Sequence, residues 1–380
     1  MILGIDAANI RWGGGVTHLV EILRSANPPE YGFTKVILWS GEDTLNKVGD
    51  RPWLIKAREP MLNKKLLYRI FWQKYQLSKL AYKLKCDVLY VPGGTYSGGF
   101  HPAVTMSRNL LPFELHELFR FGWSLATIKL LILRLLQSKS YRHAEGLIFL
   151  NRYAQNVIMS VIKKTKAKTA IIPHGLNFRF VMSPKDQKSI DAYDSENPYR
   201  ILYVSTVDMF KHQCEVAEAI ALLRKKGYPI ILNLVGGAYP AALKRLRLSI
   251  KRLDPKAEFI HYQGEIPYQE LHEQYMAADL GLFASSCENM PNILIELMAS
   301  GLPIACSNSG PMPEVLGDAG IYFNPESSLE IRDALKNLLD SPELRSSLSS
   351  KSFEKAKKYS WSLCADKTFH FLAEVAQSAD

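Results

Sequence analysis

The segment from Ser285 to Ile304, SSCENMPNILIELMASGLPI, constrains the fold of this chain more than any other. An apolar run precedes it at Ala278–Ala284 and another begins within it at Pro303–Cys306, and both are typical of buried strands. Between them, Asn289 favours a helix cap and Pro291 favours the first helical turn, where a missing N–H is tolerated. The segment therefore predicts a strand–turn–helix–strand unit whose helix N-terminus points at the carboxyl edge of a parallel sheet.

Two glutamates flank this predicted helix start. Glu288 falls in the turn, and Glu296 falls in the second turn of the helix. Unpaired N–H groups and the positive end of a helix dipole bind phosphate, and carboxylates beside such a site accept hydrogen bonds from sugar or ribose hydroxyls. The alternative is that Glu288 is a solvated loop residue and Glu296 an ordinary helix residue.

The spacing of Glu288 and Glu296 resembles the Glu-x7-Glu signature of family 4 of the retaining glycosyltransferases, which have the GT-B fold. The resemblance is dense over residues 201–325 and thinner over the first 180 residues. Its other carriers are residues 261–286, residues 301–325 and the IIPHGLN motif around His174. The resemblance implies an α/β protein of two Rossmann-like, doubly wound domains that face each other across a cleft.

The residues themselves favour the same organisation, because 380 residues exceed what one core usually serves and predicted strands alternate with helices. Apolar runs predict first-half strands at 2–5, 34–39, 88–91, 103–106, 147–150 and 169–172. We expect two domains, over residues 1–180 and 199–360, joined by a polar linker over 181–198. The resemblance implies that the first binds the acceptor and the second binds the nucleotide-sugar. The resemblance implies that a last helix, 361–380, crosses back onto the first domain.

The resemblance also assigns site residues. Glu288 would hold hydroxyls of the donor sugar, Glu296 would hold the ribose diol, and Lys211 would hold the diphosphate. The catalytic set is Glu288, Lys211 and Asn109. The predicted donor-binding set is Gly13, Gly14, Gly15, Ser205, Thr206, Lys211, Gly236, Ile266, Glu288, Asn289, Met290, Pro291, Asn292, Ile293 and Glu296.

Three parts of the chain differ from the family pattern or allow another interpretation. Ser205 and Thr206 replace a glycine and an arginine that often precede the lysine, so either Lys211 acts with main-chain amides or another cation contributes. Asn109 stands where many members have a histidine; an asparagine donates a hydrogen bond but moves no proton. The glycines at 13–15 follow the first strand, where the family closes a loop over the donor phosphate; the alternative is a plain tight turn.

The function implied is a retaining transfer of a sugar from a UDP- or GDP-sugar to a hydroxyl of a glycan or lipid-linked glycan. We place it in bacterial cell-surface polysaccharide or lipopolysaccharide (O-antigen-type) assembly. No Asp-x-Asp motif is present, so we expect neither a metal nor another cofactor. Two alternatives stay open: a nucleotide-sugar epimerase or hydrolase of the same architecture, and a non-catalytic subunit that binds a nucleotide-sugar.

The charge is uneven: residues 1–180 hold 26 Lys and Arg against 11 Asp and Glu, whereas the whole chain has a net charge of +10. Two segments, Asn63–Lys85 and Phe119–Leu136, mix basic residues with aromatics and leucines at helical spacing. They predict contact with an anionic membrane surface; the alternative is that their apolar residues face the core. No nucleic-acid-binding motif accompanies this charge.

The expected location is the cytoplasm, peripheral on the cytoplasmic face of the inner membrane. The chain opens directly on MILGID, which predicts a strand rather than a signal peptide, and no run of 18 uncharged apolar residues occurs. Five scattered cysteines without a C-x-x-C pair indicate a reduced compartment, and Cys287 is expected to be a bystander. The oligomeric state is not predicted.

Overall fold

The computed structural model describes residues 1–378, which form two compact units. The first comprises Met1–Gly175 together with the chain from Tyr359 onward, and the second comprises Leu176–Lys358. The last two residues of the predicted return helix, 379 and 380, lie outside the described residues.

The first unit contains a seven-stranded sheet and a set of surrounding helices. Its strands are β1 (Ile2–Asp6), β2 (Lys35–Ser40), β3 (Leu54–Arg58), β4 (Val88–Val91), β5 (Ala103–Met106), β6 (Gly146–Phe149) and β7 (Lys168–Ile171). Its α-helices are α1 (Gly14–Ser25), α2 (Glu42–Leu45), α3 (Leu66–Trp72), α4 (Ser78–Lys83), α5 (Leu115–Phe119), α6 (Leu125–His143), α7 (Arg152–Ile162) and the C-terminal helix (Trp361–Gln377). A π-helical stretch, Gln73–Leu77, joins α3 to α4, and short 3-10 turns span Pro28–Tyr31 and Pro60–Asn63.

The strands of this sheet are all parallel, in the order β3-β2-β1-β4-β5-β6-β7. The order reverses between β1 and β4, so the loops that follow these two strands diverge at the carboxyl edge. This is the position at which doubly wound sheets bind ligands. In the first unit that edge is occupied by the loop between Asp6 and Gly14.

The second unit repeats this plan with six parallel strands. They are β8 (Tyr199–Val204), β9 (Ile230–Val235), β10 (Ile260–Gly264), β11 (Leu280–Phe283), β12 (Ile304–Ser307) and β13 (Ile321–Phe323). The helices are α8 (Gln213–Lys225), α9 (Pro240–Leu253), α10 (Leu271–Ala277), α11 (Asn292–Ala299), α12 (Met312–Leu316), α13 (Ser328–Asp340) and α14 (Pro342–Ala356), with 3-10 turns at Phe178–Phe180 and Ile190–Ala192. The order is β10-β9-β8-β11-β12-β13, and it reverses between β8 and β11.

The central strands follow their apolar runs closely. Every residue of β4, β5 and β6 is buried, as expected for parallel strands that are covered on both faces. All six strands predicted in the first half are present within one residue at each end. Edge strand β3, LIKAR, was not predicted, because its Lys56 and Arg58 interrupt any apolar run and it is only partly buried.

The segment predicted as a linker, residues 181–198, packs within the second unit. The N–H of Met182 donates to the carbonyl oxygen of Ala299 at 2.9 Å, and Lys185 Nζ donates to that of Ala278 at 2.7 Å. The boundary of the two units lies earlier, at Gly175 and Leu176. The polar composition of this segment suggested a linker, but its contacts are made largely by main-chain groups and one lysine, which composition does not reveal.

Arg345, on α14, fixes the same segment from inside the unit. Its guanidinium is fully buried and stacks 5.4 Å from the ring centroid of Tyr199. It donates hydrogen bonds to the carbonyl oxygens of Leu338 (2.5 Å), Leu339 (2.8 Å) and Lys188 and to Oε1 of Gln187 (3.0 Å). The Arg345 side chain therefore hydrogen-bonds the last carbonyl groups of α13 and holds the segment that leads into β8.

We predict that Arg345→Met lowers the free energy of unfolding by at least about 3 kcal/mol, because several buried acceptors lose a charged donor. It should also open residues 184–198 to limited proteolysis. Arg332→Met is the matched control, since Arg332 pairs with the adjacent Asp333 at the surface and its loss should cost less than about 1 kcal/mol. Denaturant unfolding measures both, and equal effects of the two substitutions would contradict the role given to Arg345.

Candidate active site

Lys211 and Glu288 form an ion pair at the point where the strand order of the second sheet reverses. Lys211 lies in the loop after β8 and Glu288 in the loop after β11, and these two strands are neighbours. Their side chains are only 13% and 16% exposed. The Lys211 ammonium also lies over the rings of Phe210 and Phe283, 5.2 and 5.8 Å from the centroids. The structure thus brings together Lys211 and Glu288, to which the resemblance assigns chemical roles, and largely shields both from water.

Hydrogen bonds hold the two loops together around this pair. The hydroxyl of Tyr203 donates to the carbonyl oxygen of Lys211 at 2.7 Å. Ser286 donates its N–H to the carbonyl oxygen of Phe210 at 2.9 Å, and its Oγ lies 2.9 Å from Nε2 of His212. Sequence reasoning missed Tyr203, His212 and Ser286, although each lies within a few residues of a predicted site residue. Their bonds pre-organise Lys211 and Glu288.

The loops after β8 and β9 approach each other too closely for a side chain. At Gly236, where φ is 142°, a Cβ would lie 2.3 Å from the carbonyl oxygen of Ser205, so a glycine is required there. Ser205 is buried and donates Oγ–H to the carbonyl oxygen of Thr206, which also accepts from Nε2 of Gln213. Neither Ser205 nor Thr206 supplies a positive charge.

The loop after β10 joins this edge of the sheet. The N–H of Gly236 donates to the carbonyl oxygen of Gly264 at 2.8 Å, and the hydroxyl of Tyr262 donates to that of Gly236 at 2.9 Å. Ile266, predicted to contact the donor, follows two residues later and is partly buried. The structure therefore places Ile266 on the same edge as Gly236.

Helix α11 begins later than predicted. It starts at Asn292 with Pro291 as the N-cap, and no side chain caps it, so the prediction that Asn289 caps the helix is wrong. Asn289 itself is buried. The N–H of Asn292 donates to the carbonyl oxygen of Met290, and Pro291 has none to offer. Of the predicted donor-binding residues Met290, Pro291, Asn292 and Ile293, Met290 and Ile293 are left as candidates to donate a main-chain N–H to phosphate.

Glu296 is more enclosed than a residue that meets a ligand at the surface. It is 5% exposed, and its carboxylate accepts hydrogen bonds from the hydroxyls of Tyr275 (2.8 Å) and Tyr268 (3.3 Å). Burial raises the pKa of Glu296 to about 7, although both tyrosine bonds and the charge of Arg179 lower it. The carboxylate expected to hold the ribose diol is therefore largely engaged by two tyrosines, which the sequence did not indicate.

The remaining predicted site residues lie in the first unit. Gly13 is the N-cap of α1 with φ 63°, and Gly14 and Gly15 are the first two residues of the helix. Asn109 is exposed, and its Oδ1 accepts the N–H of Leu111 at 3.1 Å, which closes a local turn. The structure thus gives the glycines a helix N-terminus and commits one atom of Asn109 to its own loop.

Metal-ligating side chains do not cluster at this edge. Within either unit taken by itself, the described residues bring no three His, Cys, Asp or Glu side chains within metal-binding distance of one another. Cys287 is buried next to Glu288, with its carbonyl oxygen accepting from Oγ of Ser285 at 3.2 Å.

Comparison with known proteins shows which family the second unit resembles. Residues 185–355 match the family model described as Glycosyl transferases group 1. The chain is 28% identical over 172 residues to O-antigen chain mannosyltransferase B of Escherichia coli, which covers 44% of each protein. The aligned part of the chain thus spans less than half the length of this curated relative. The match to the group 1 glycosyl transferases lies within the second unit and covers less than half of the chain.

Solved structures match the whole chain. Sucrose-phosphate synthase of Thermosynechococcus elongatus superposes with a TM-score of 0.76 at 16% identity, covering 100% of both chains. HepE of Anabaena, in complex with UDP and glucose, superposes with a TM-score of 0.68 at 16% identity, again over 100% of both chains. The predicted fold class, α/β with two Rossmann-like domains of the GT-B type, is confirmed.

We predict that Glu296→Gln changes how stability depends on pH. Burial raises the pKa of Glu296 to about 7 in the folded protein, against an ordinary value of 4.5. This group therefore stabilises the fold below about pH 4.5, and that contribution is lost as the pH rises through 7. Between these pH values, the free energy of unfolding of the parent should fall by about 3 kcal/mol relative to Glu296→Gln.

Chemical denaturation at half-unit pH steps measures this difference. Glu273→Gln removes an exposed carboxylate of α10 and serves as the control. A parent and a Glu296→Gln protein whose stabilities run parallel from pH 4.5 to 7 would show that Glu296 is not desolvated as described.

Proposed function

We propose that this protein is a retaining glycosyltransferase that moves a sugar from a UDP- or GDP-sugar to a hydroxyl of a glycan or lipid-linked glycan. It would act without a metal ion in the assembly of bacterial cell-surface polysaccharide of the O-antigen type. The observation that carries the proposal is the Lys211–Glu288 pair, which lies at the strand-order reversal of the unit that matches the family. Similarity to an O-antigen mannosyltransferase and to a protein solved with UDP and glucose supports it.

The pair has a direct use in donor binding. Without a ligand, the Lys211 ammonium and the Glu288 carboxylate neutralise each other. A diphosphate carries more charge than one carboxylate, so it would draw Lys211 onto its oxygens. Glu288 would then be released to accept hydrogen bonds from hydroxyls of the donor sugar. Binding of the diphosphate by Lys211 and orientation of the sugar by Glu288 are thereby linked, because the first releases the second.

The chemistry follows from positioning and charge. The bond between the anomeric carbon and the diphosphate oxygen breaks, and the diphosphate leaves with the electron pair. The acceptor oxygen forms its bond to the same carbon on the same face, and its proton passes to the departing diphosphate. Lys211 and the Met290 and Ile293 amides would stabilise the charge that develops on the leaving group. Glu288 would fix the ring as positive charge develops at the anomeric carbon.

We predict opposite effects of substitution at the two members of the pair. Lys211→Met should weaken nucleotide-sugar binding by about 10- to 100-fold, because it removes a charged contact to phosphate. Glu288→Gln should leave donor affinity equal or tighter, because Lys211 loses its competing partner, yet lower turnover by about 100-fold or more. Calorimetry with a panel of UDP- and GDP-sugars, followed by an assay of transfer, measures both.

Two residues of α8 provide matched controls as Lys225→Met and Glu218→Gln: Lys225 is exposed, and Glu218 is partly exposed and pairs with Arg252. If Lys211→Met and Glu288→Gln both left affinity and turnover unchanged, the site would lie elsewhere. Release of free sugar or isomerised donor without an acceptor would favour a hydrolase or epimerase, and binding without turnover would favour a binding subunit. Loss of activity in EDTA that Mg²⁺ or Mn²⁺ restores would contradict a metal-free reaction.

The first unit has an apolar surface that supports docking on a membrane. Helix α6 exposes several of its apolar side chains, while four of its polar side chains are buried. Trp123, just before the helix, is 95% exposed. The exposed apolar positions of α6 are Leu125, Ile128, Ile132, Leu135 and Leu136. Its buried positions include Thr127, Gln137, Ser138 and Ser140. The sequence-based alternative, that the apolar residues face the core, does not hold for these five positions, whereas Leu130, Leu131 and Leu133 of the same helix are partly buried.

Helix α3 adds a second exposed face with basic residues beside it. Leu67 is 78% exposed, and Phe71 and Tyr75 are about half exposed at 50% and 48%. Lys64 and Lys74 lie over the rings of Tyr68 and Tyr75, 5.2 and 5.1 Å from the centroids. Aromatic and aliphatic side chains flanked by lysines fit the interface of an anionic lipid surface. Within the described residues, we find no helix with both the length and the apolar character to cross a membrane.

We therefore propose peripheral association with the cytoplasmic face of the inner membrane, where a lipid-linked acceptor would be met. The protein should sediment with anionic vesicles at low salt, bind neutral vesicles poorly, and dissociate as salt rises, because such attraction fades within a Debye length. Replacing Lys64, Lys65 and Lys74 by glutamine should reduce binding at least tenfold, given about 1 kcal/mol per charge.

The same charge change made at the exposed residues Lys225, Lys226 and Lys251 of the second unit is the control. Trp123→Ala combined with Leu125→Ala should weaken binding without changing its salt dependence. If the parent protein does not bind anionic vesicles even at low salt, the exposed faces of α3 and α6 serve another purpose, and a soluble acceptor is favoured.

A further inference from the structure

The carboxylate of Glu296 accepts one hydrogen bond from the interior of the second unit and one from near its surface. Tyr275 is 0% exposed, and its hydroxyl donates to Oε2 of Glu296 at 2.8 Å. Tyr268 is 37% exposed, and its hydroxyl donates to Oε1 at the longer distance of 3.3 Å. Of these two tyrosines, therefore, only Tyr268 can leave the carboxylate without disturbing the core.

Tyr268 belongs to the loop between β10 and α10, which lies at the surface. Residues 267–270 of this loop are exposed, and the N–H of Glu270 donates within the loop to the carbonyl oxygen of Pro267 at 2.9 Å. A movement of Tyr268 away from Glu296 thus requires a change in an exposed loop and leaves the strands of the sheet in place.

Two neighbours position the Tyr268 ring in the unliganded protein. The guanidinium of Arg179 lies 5.3 Å from its centroid, and the buried ring of Phe180 lies 5.5 Å from it. Phe180 also contacts Tyr275 edge-on at 5.4 Å. A cation–π contact at a partly exposed ring is weak, so these contacts place the Tyr268 hydroxyl over Glu296 without fixing it there.

Any group that replaces the Tyr268 hydroxyl must itself donate a hydrogen bond. Burial raises the pKa of Glu296, and the bonds from Tyr275 and Tyr268 lower it, so each hydroxyl stabilises the ionised carboxylate. A buried carboxylate oxygen that loses its donor is costly unless another donor takes its place. A ligand hydroxyl has the required chemistry, whereas an apolar group does not.

We propose that Tyr268 is a displaceable partner of Glu296: its hydroxyl occupies Oε1 in the unliganded protein, and a ribose hydroxyl of the nucleotide-sugar replaces it. This inference rests on the proposed function and on the ribose contact expected of Glu296. The exchange keeps Oε1 hydrogen-bonded in both states. Tyr268 also competes with the ribose of the nucleoside diphosphate that remains after transfer, so its return to Glu296 favours product release.

Calorimetry with UDP and GDP tests the exchange without any transfer reaction. Tyr268→Phe should bind at least one of them about 2- to 10-fold more tightly than the parent, because the ribose no longer competes with a phenol hydroxyl. The dideoxyribose form of the same nucleotide should bind both proteins equally, since it has no hydroxyl to offer Glu296. The gain in affinity should appear mainly as slower dissociation.

The measurement is made at about pH 8.5, because loss of the Tyr268 bond raises the pKa of Glu296 above about 7 and the carboxylate must be ionised in both proteins. Tyr228→Phe is the matched control. The Tyr228 hydroxyl donates to Oδ1 of Asp340 at 2.7 Å, so this variant also removes a tyrosine–carboxylate bond, but beside the amino end of β9. It should leave the affinities for both forms of the nucleotide unchanged.

The ratio of the affinities for the ribose and dideoxyribose forms separates the exchange from a structural role. An equal change for both forms, or a lower melting temperature of Tyr268→Phe with an unchanged ratio, would overturn the proposal and leave the proposed function standing. A parent protein that binds neither UDP nor GDP would refute both. A parent that shows the expected change in ratio but transfers no sugar would refute only the proposed function.

Discussion

An ammonium and a carboxylate meet where the strand order of the second sheet reverses, and the arrangement of the candidate site depends on that contact. Lys211 and Glu288 come from different loops, and each is mostly shielded from water. Burial of an ion pair costs hydration free energy. The attraction between the two charges offsets that cost only when they are held in close geometry. The bonds of Tyr203 and Ser286 to the main chain beside Lys211 supply that geometry. The pair therefore holds the two loops together, and an anionic ligand can replace Glu288 as the partner of Lys211.

The groups around the pair favour ligand binding rather than stability of the protein alone. Gly236 allows main chains to approach where any side chain would collide with Ser205. Glu296 is held by two tyrosines in a setting that raises its pKa to about 7, which disfavours its charged form. Each of these features costs free energy in the unliganded protein, as is common at binding sites.

The sequence predicted the central strands well, because buried parallel strands are continuous apolar runs. It assigned Lys211 and Glu288 to one site, but it did not predict that they form an ion pair. It did not predict edge strand β3, whose charged residues hide the pattern, nor that the polar segment 181–198 packs through Lys185 and Arg345. The sequence also did not indicate the position of Arg108. Arg108 adjoins the predicted Asn109, but only the fold reveals that its guanidinium lies against Gly15, far away in sequence.

A double-mutant cycle between Lys211 and Glu288 tests the central claim most directly. The free energy of unfolding is measured for the parent, Lys211→Met, Glu288→Gln and the double variant, without ligand and with saturating UDP or GDP. We expect a coupling energy of about 0.5–3 kcal/mol without ligand. With the nucleotide diphosphate bound, it should fall to near zero, because Lys211 has exchanged its partner. A coupling energy that is the same in both conditions would show that the diphosphate does not engage Lys211 and would contradict this account.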